Sequence, residues 1–267
     1  MRRMVSRYFY IWKAFFRNTL SRDMEFKMNF IFEIFIDAIY YLTLFFFFKI
    51  IFQFTQSLGD FNQEAVIIFL ITLYISDSLY IFFLGGNVFN INTLVKQGDL
   101  DFILLKPINS QFFVSCRYVN AYACLSTIIL SLLLIKLTYS YHENTFILVN
   151  YIFFHISLIL GMFIFYSFEF IIASLVFWFR NFSYAGWLAS ELTKYSRRPD
   201  SIYKNPFRKI LLSIFPMAMI SSVPARFLIF GVNMKLFIIQ IIVTAVFLCL
   251  TTVVWKKGLL KYESASS

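Results

Sequence analysis

Long apolar runs separated by short polar segments set the pattern of this chain. Taken in order, they predict membrane-spanning helices over about Asn29–Ile51, Ala65–Phe83, Phe112–Leu134, Phe146–Phe179 and Leu236–Trp255. Each meets or approaches the roughly 20 apolar residues a helical span requires. The fourth is long enough to run past the bilayer surface or to bend into it. A shorter span precedes the last one. Ile210–Val223 leaves only fourteen residues between Lys209 and Pro224, about 21 Å of helix against a hydrocarbon core of roughly 30 Å. Pro216 kinks it, and the apolar stretch Pro224–Gly231, interrupted by Arg226, reads as a half-buried re-entrant turn. Ahead of all the spans, residues 4–22 alternate with helical period. Val5, Tyr8, Phe9, Trp12, Phe15, Phe16, Thr19 and Leu20 share one face, and Arg3, Arg7, Lys13, Arg17 and Asn18 the other. A basic, aromatic helix of this kind lies in the membrane interface.

One polar segment is punctuated unlike the others. Lys96–Pro107, KQGDLDFILLKP, reads as two short helical pieces split at Gly98. Asp99 stands where a side-chain oxygen caps the second piece. Lys106-Pro107 stops it, because proline disfavours the helical region for the residue before it. Such a knob is too small to span a bilayer or to hold a core.

Composition agrees with the pattern. Of 267 residues 60% are hydrophobic and 14% charged, with a mean hydropathy of +0.74; soluble domains carry about 25% charged residues. The 37 phenylalanines fall in runs such as Leu44–Phe48, not in strand alternation. Helices are therefore the spanning element, since each satisfies its own backbone hydrogen bonds in lipid. The expected architecture is an all-α integral membrane protein with six spans in a single domain, 1–267. It has the interfacial helix 4–22, a loop at 87–111 and a broken polar connection at 180–209.

The net charge of +10 points to membrane sidedness, not nucleic acid. With that topology, 20 of the 24 Lys and Arg fall on the side of the termini, the 87–111 loop and the 180–209 connection; Lys49, Lys136, Arg226 and Lys235 fall on the other. Both termini and the loop are then cytoplasmic. Arg226 and Lys235 either attract an anionic group at the outer mouth or snorkel to the interface. Cys116, Cys124 and Cys249 lie in apolar stretches without metal or disulfide spacing. No cleavable leader pattern opens the chain.

Little in the sequence supports catalysis. There is no GxxxxGK[ST] phosphate loop, and His142 and His155 have no carboxylate or cysteine at ligand spacing. Four acids fall inside spans. Glu33 and Asp37 share one face of the first, Asp77 is in the second, and Glu169 is in the fourth. A carboxylate at the bilayer centre costs roughly 3 kcal/mol, so these face protein or water. They line a transport path or form a packing or dimer contact.

Three segments carry a family resemblance: QGDLDFILLKPINSQF at Gln97–Phe112, RPDSIYKNPFRKILLSIFPMAMISSVPARFLIFG at Arg198–Gly231, and WKKGLLKYESAS at Trp255–Ser266. Together, and in this order, they resemble the membrane subunits of ABC-type-2 exporters, the bacterial six-span subfamily of about 260 residues. The resemblance implies a permease without an ATPase of its own, in the cytoplasmic (inner) membrane. It pairs with a second permease subunit, identical or related, and with two copies of a separate ATPase that holds the ATP and Mg2+. It also implies that the 87–111 loop is the coupling helix, with Asp99, Leu100, Asp101, Phe102 and Leu105 against the ATPase. The alternatives are a carrier driven by protons through Glu33, Asp37, Asp77 or Glu169, or a membrane assembly scaffold.

Overall fold

The computed structural model describes residues 2–25, 27–143, 147–179 and 182–263. Helix α1 (Arg2–Glu25) leads into α2 (Lys27–Ile51). A two-residue antiparallel hairpin, β1 (Ser57–Leu58) with β2 (Phe61–Asn62), turns the chain into α3 (Gln63–Phe83). Three short helices follow, α4 (Asn90–Gln97), α5 (Leu100–Leu104) and α6 (Ser110–Cys116), and then α7 (Ala121–Tyr141) and α8 (Leu148–Ser174). Beyond these lie α9 (Ala185–Thr193), α10 (Asn205–Leu211), α11 (Ala218–Ile229) and α12 (Met234–Lys261). Among the described residues, five helices are long and apolar enough to cross a membrane: α2, α3, α7, α8 with the 3-10 turn that extends it to Phe177, and α12. Helix α11 is apolar but shorter. This is the all-α membrane architecture expected from the apolar runs.

Helices α3, α8 and α11 form the core. Every residue of α11 except Arg226 is buried, whereas α2 buries only Phe48. The α8–α11 approach depends on Gly161, where a Cβ would stand 2.9 Å from the Ile220 carbonyl oxygen and 3.0 Å from that of Met219. Helix α11 carries Pro224 in its interior. A proline lacks the N–H that its i−4 carbonyl needs, here that of Ile220. Ser76 Oγ donates to that carbonyl at 3.1 Å from α3. On the other flank, Gln240 Nε2 donates to the carbonyls of Ser157 and Met219, and Ser157 Oγ donates to Gln240 Oε1. These satisfied polar groups fasten α8, α11 and α12 together inside an apolar interior, where an unpaired one would cost about 1–3 kcal/mol.

The structure departs from the sequence reading in three places. The third span begins later than Phe112, at Ala121, because α6 and an irregular stretch precede it. Two asparagines hold that stretch. Asn87 donates to the Tyr118 carbonyl at 2.6 Å and accepts from its N–H at 2.7 Å, and Asn120 donates to the carbonyls of Ile81 and Gly85. Second, Ile210–Val223 is not one short span. Helix α10 stops at Leu211, the chain turns through Pro216, and α11 starts at Ala218. At about 18 Å, α11 reaches from mid-length of α3 and α8, at Ser76 and Gly161, to the level of the hairpin, where Arg226 meets Asp60.

The third departure concerns the polar connection 180–209. Arg180 lies outside the described residues. From there the segment is not confined to one side. Lys96 Nζ, on α4, donates to Ser183 Oγ at 2.9 Å, whereas Ser201 Oγ accepts from the Asp60 N–H at 3.1 Å, in the hairpin. These two anchors lie beyond opposite ends of α3, which is about 31 Å long. The chain from Ser183 to Ser201, which includes α9 and the 3-10 turn Lys194–Arg197, therefore runs the length of the bundle, and residues 200–230 start and finish at the hairpin end. Helix α1 and the end of α12 sit at the opposite end, that of α4 and α5: Arg7 Nη2 donates to the Pro107 carbonyl at 2.7 Å and Trp255 Nε1 to Ser110 Oγ at 3.2 Å.

Candidate functional site

Two sites emerge, a knob at the α4–α5 end and a polar cavity among the spans. The knob is built on Gly98, whose φ of 78° closes α4 in the left-handed region that costs glycine nothing. Helix α5 then places Leu100 and Ile103 inward and Phe102 and Leu105 outward. Leu100 is fully buried and packs in a cluster with Tyr80, Ile91, Val114 and Trp255. Phe102 is 68% and Leu105 82% exposed, and Leu104 is also exposed. Of the five residues marked by the sequence, Leu100 is therefore internal and holds the knob in place. Leu104, which the sequence reading left out, joins the surface. Asp99 occupies the N-cap position without a side-chain cap hydrogen bond. Its own backbone is already helical (φ −67°, ψ −15°), whereas a capping residue takes an extended conformation to reach the free N–H groups.

Other segments clamp the knob. Tyr8 Oη accepts from the Asn109 N–H at 3.2 Å, and Asn109 Oδ1 caps α6 at the Phe112 N–H. The rings of Tyr8 and Phe112, and of Phe15 and Phe113, meet edge to face. At the end of α12, Tyr262 faces Asp101; its phenol is pushed up to about 12, by burial first and then by the Asp101 carboxylate. Helix α1, the loop and the end of α12 thus converge on one packed unit.

The cavity has a volume of about 320 Å³ and lies among α2, α3, α8 and α9. Asp37, Asp77 and Glu169 all line it, as do Tyr40, Tyr80 and Arg197. Tyr80 Oη donates a hydrogen bond to Glu169 Oε2. The Arg197 guanidinium sits 5.4 Å above the centre of the Tyr40 ring and interacts electrostatically with Asp77. Asp37 Oδ2 and Tyr40 Oη are buried with no hydrogen-bond partner among the described residues. Glu33 does not join this group. It is exposed on α2, one turn from Asp37. Arg197 was missed by the sequence reading because it was counted among the charges of a solvated connection. Only the path of α9 brings it between the spans.

The histidines are occupied with backbone. His142 Nε2 lies 2.6 Å from the Leu228 carbonyl and His155 Nδ1 2.7 Å from that of Tyr151. Arg226 does not snorkel: it is held by Asp60 and Asp200, at 2.8 and 2.7 Å.

In a comparison with protein families, a model described as "ABC-2 family transporter protein" matches residues 38–266 of this chain. Neither the curated proteins nor the solved structures contain a match.

Proposed function

The chain belongs to the ABC-2 family of transporter proteins, and from that premise we propose that it is the permease of an ATP-driven exporter. As a member of the family it is a multi-pass membrane component of an ABC transporter. In the proposed complex two permease subunits pair, and each seats its α5 knob in a groove of a separate ATPase that binds ATP and Mg2+. The observation that carries this reading is the knob itself. It presents Phe102, Leu104 and Leu105 outward while being clamped to α1, α6 and α12. A force applied there reaches the helices around the cavity through one apolar cluster, which holds Leu100 and Ile103 of α5 together with Tyr80, and Tyr80 bonds Glu169. The basic residues of α1, the 96–117 segment and the α12 end argue that this end, with both termini, faces the cytoplasm of a bacterium. The exposed Glu33 on the little-buried α2 suits a face covered by the second permease, because a carboxylate facing lipid costs roughly 3 kcal/mol.

Co-expression with an ABC ATPase tests the assignment. Replacing Phe102 and Leu105 together by Asp is expected to abolish copurification of the ATPase and ATP-dependent transport while leaving the permease folded. If the double variant assembles and transports like the parent chain, the knob is not the coupling element. The three acids in the cavity also favour a proton-driven carrier. That reading requires transport by this chain alone, collapsed by a protonophore and indifferent to vanadate.

A further inference from the structure

A second cavity, of about 490 Å³, opens at the hairpin end between α10, the end of α11 and the start of α12. Its charged lining is entirely cationic: Arg208, Arg226 and Lys235. The carboxylates that fix these arginines are not part of the wall. Asp200, only 1% exposed, accepts from Arg208 Nε at 2.6 Å through one oxygen and from Arg226 Nε at 2.7 Å through the other. Asp60 takes Arg226 Nη2 at 2.8 Å. A guanidinium has five N–H donors, so each arginine retains donors after these bonds. Arg226 is further held between the rings of Phe61 and Phe230, 5.0 and 5.4 Å from their centres. The two Asp and two Arg balance, and Lys235 leaves the group one positive charge in excess. Helix α12 adds the positive end of its dipole, because its first turn, beginning at Met234, forms the same wall. Beside the cations and Asn233, which caps α12, the lining carries the apolar Phe230, Val232, Leu236 and Ile239. Ile239 stands one turn below Lys235 along a helix that spans the membrane.

We propose that this cavity binds an anionic amphiphile, with a phosphate or carboxylate headgroup held by Arg208, Arg226 and Lys235 and a hydrocarbon chain laid along Leu236 and Ile239. A dissolved anion would use only half of the wall. The cations sit at the end of the spans, where the headgroup of a membrane lipid lies, and the apolar side chains point the chain into the bilayer.

The test uses the full chain, with any ATPase that copurifies, in detergent. It is titrated with phosphatidylglycerol or phosphatidylcholine of identical acyl chains, and retained lipid is counted by native mass spectrometry. Phosphatidylglycerol is expected to be retained at least about tenfold more tightly, a difference of about 1.4 kcal/mol. Lys235→Glu reverses the excess charge without touching the Asp–Arg pairs and places an acid where the helix dipole welcomes it. It is expected to abolish the preference, whereas Lys261→Glu, at the other end of α12, preserves it. Ile239→Trp, which fills the apolar half, is expected to lower retention of phosphatidylglycerol. Equal retention of the two lipids, a Lys235→Glu variant that behaves as the parent, or displacement by millimolar inorganic phosphate would each overturn the proposal.

Discussion

Asp200 offers the sharpest stability prediction. It is buried at 1% exposure, and its two oxygens neutralise two arginines from different elements, Arg208 on α10 and Arg226 on α11. Asp200→Asn keeps the shape and removes the charge, leaving two guanidiniums to share Asp60, which lies 2.8 Å from Arg226 and 4.0 Å from Arg208. Removing one partner of a buried pair costs about 3–5 kcal/mol. Arg208 is 29% exposed and can turn toward water, so the lower limit applies. A loss of about 3 kcal/mol corresponds to a fall in Tm of roughly 6–12 °C for a chain of this size. Differential scanning fluorimetry of the purified protein in detergent reads it directly. The double variant Asp200→Asn/Arg208→Gln is the internal control. It leaves one arginine with one carboxylate, and it is expected to recover about half of the lost Tm, because the cost arises from uncompensated charge and not from the missing contact. A single variant within about 2 °C of the parent, or a double variant less stable than the single, would refute the electrostatic account.

Three further outcomes follow from the geometry. Gly161→Val drives a side chain into the Met219 and Ile220 carbonyls and is expected to destabilise by about 1–3 kcal/mol, visible in the same melting assay. Asn87→Ala leaves the Tyr118 N–H and carbonyl without their partner. It is expected to cost about 1–3 kcal/mol, and to speed amide exchange at Tyr118 without affecting α8. The Tyr262 phenol is pushed from 10.0 up to about 12, so its neutral form is favoured in the folded state. Its contribution to stability is therefore complete below pH 10 and is lost as the pH rises toward 12. Difference absorbance of the parent chain against Tyr262→Phe is expected to show one tyrosine ionising in that upper range, and ionisation near 10 would count against its burial beside Asp101.

Much of this protein was legible in the sequence because a membrane imposes strict local rules. An apolar run must be helical to satisfy its backbone in lipid, so α2, α3, α8 and α12 lie within a few residues of where the runs place them. Gly98 and Pro107 punctuate the knob through their own backbone restrictions, and α4 and α5 break where those residues require it. The exposed and buried faces of the knob were another matter. Leu100 and Leu105 are the same residue type five positions apart, and only burial in the apolar cluster that also holds Tyr80 and Trp255 decides that the first is core and the second surface.

The path of residues 180–230 was decided by tertiary structure alone. Its polar, proline-broken sequence reads as a solvated connection, because hydropathy records the cost of each side chain taken singly. In the folded chain those costs are met by partners remote in sequence. Asp200 and Asp60 neutralise Arg208 and Arg226, Ser76 takes the carbonyl that Pro224 orphans, and Arg197 finds Tyr40 and Asp77 in the cavity wall. Composition and periodicity determined how many apolar helices there would be and which loop would stand clear of them. Which acids meet, where the fifth passage runs and which arginines those acids neutralise depended on pairings across tens to hundreds of residues, which no local pattern encodes.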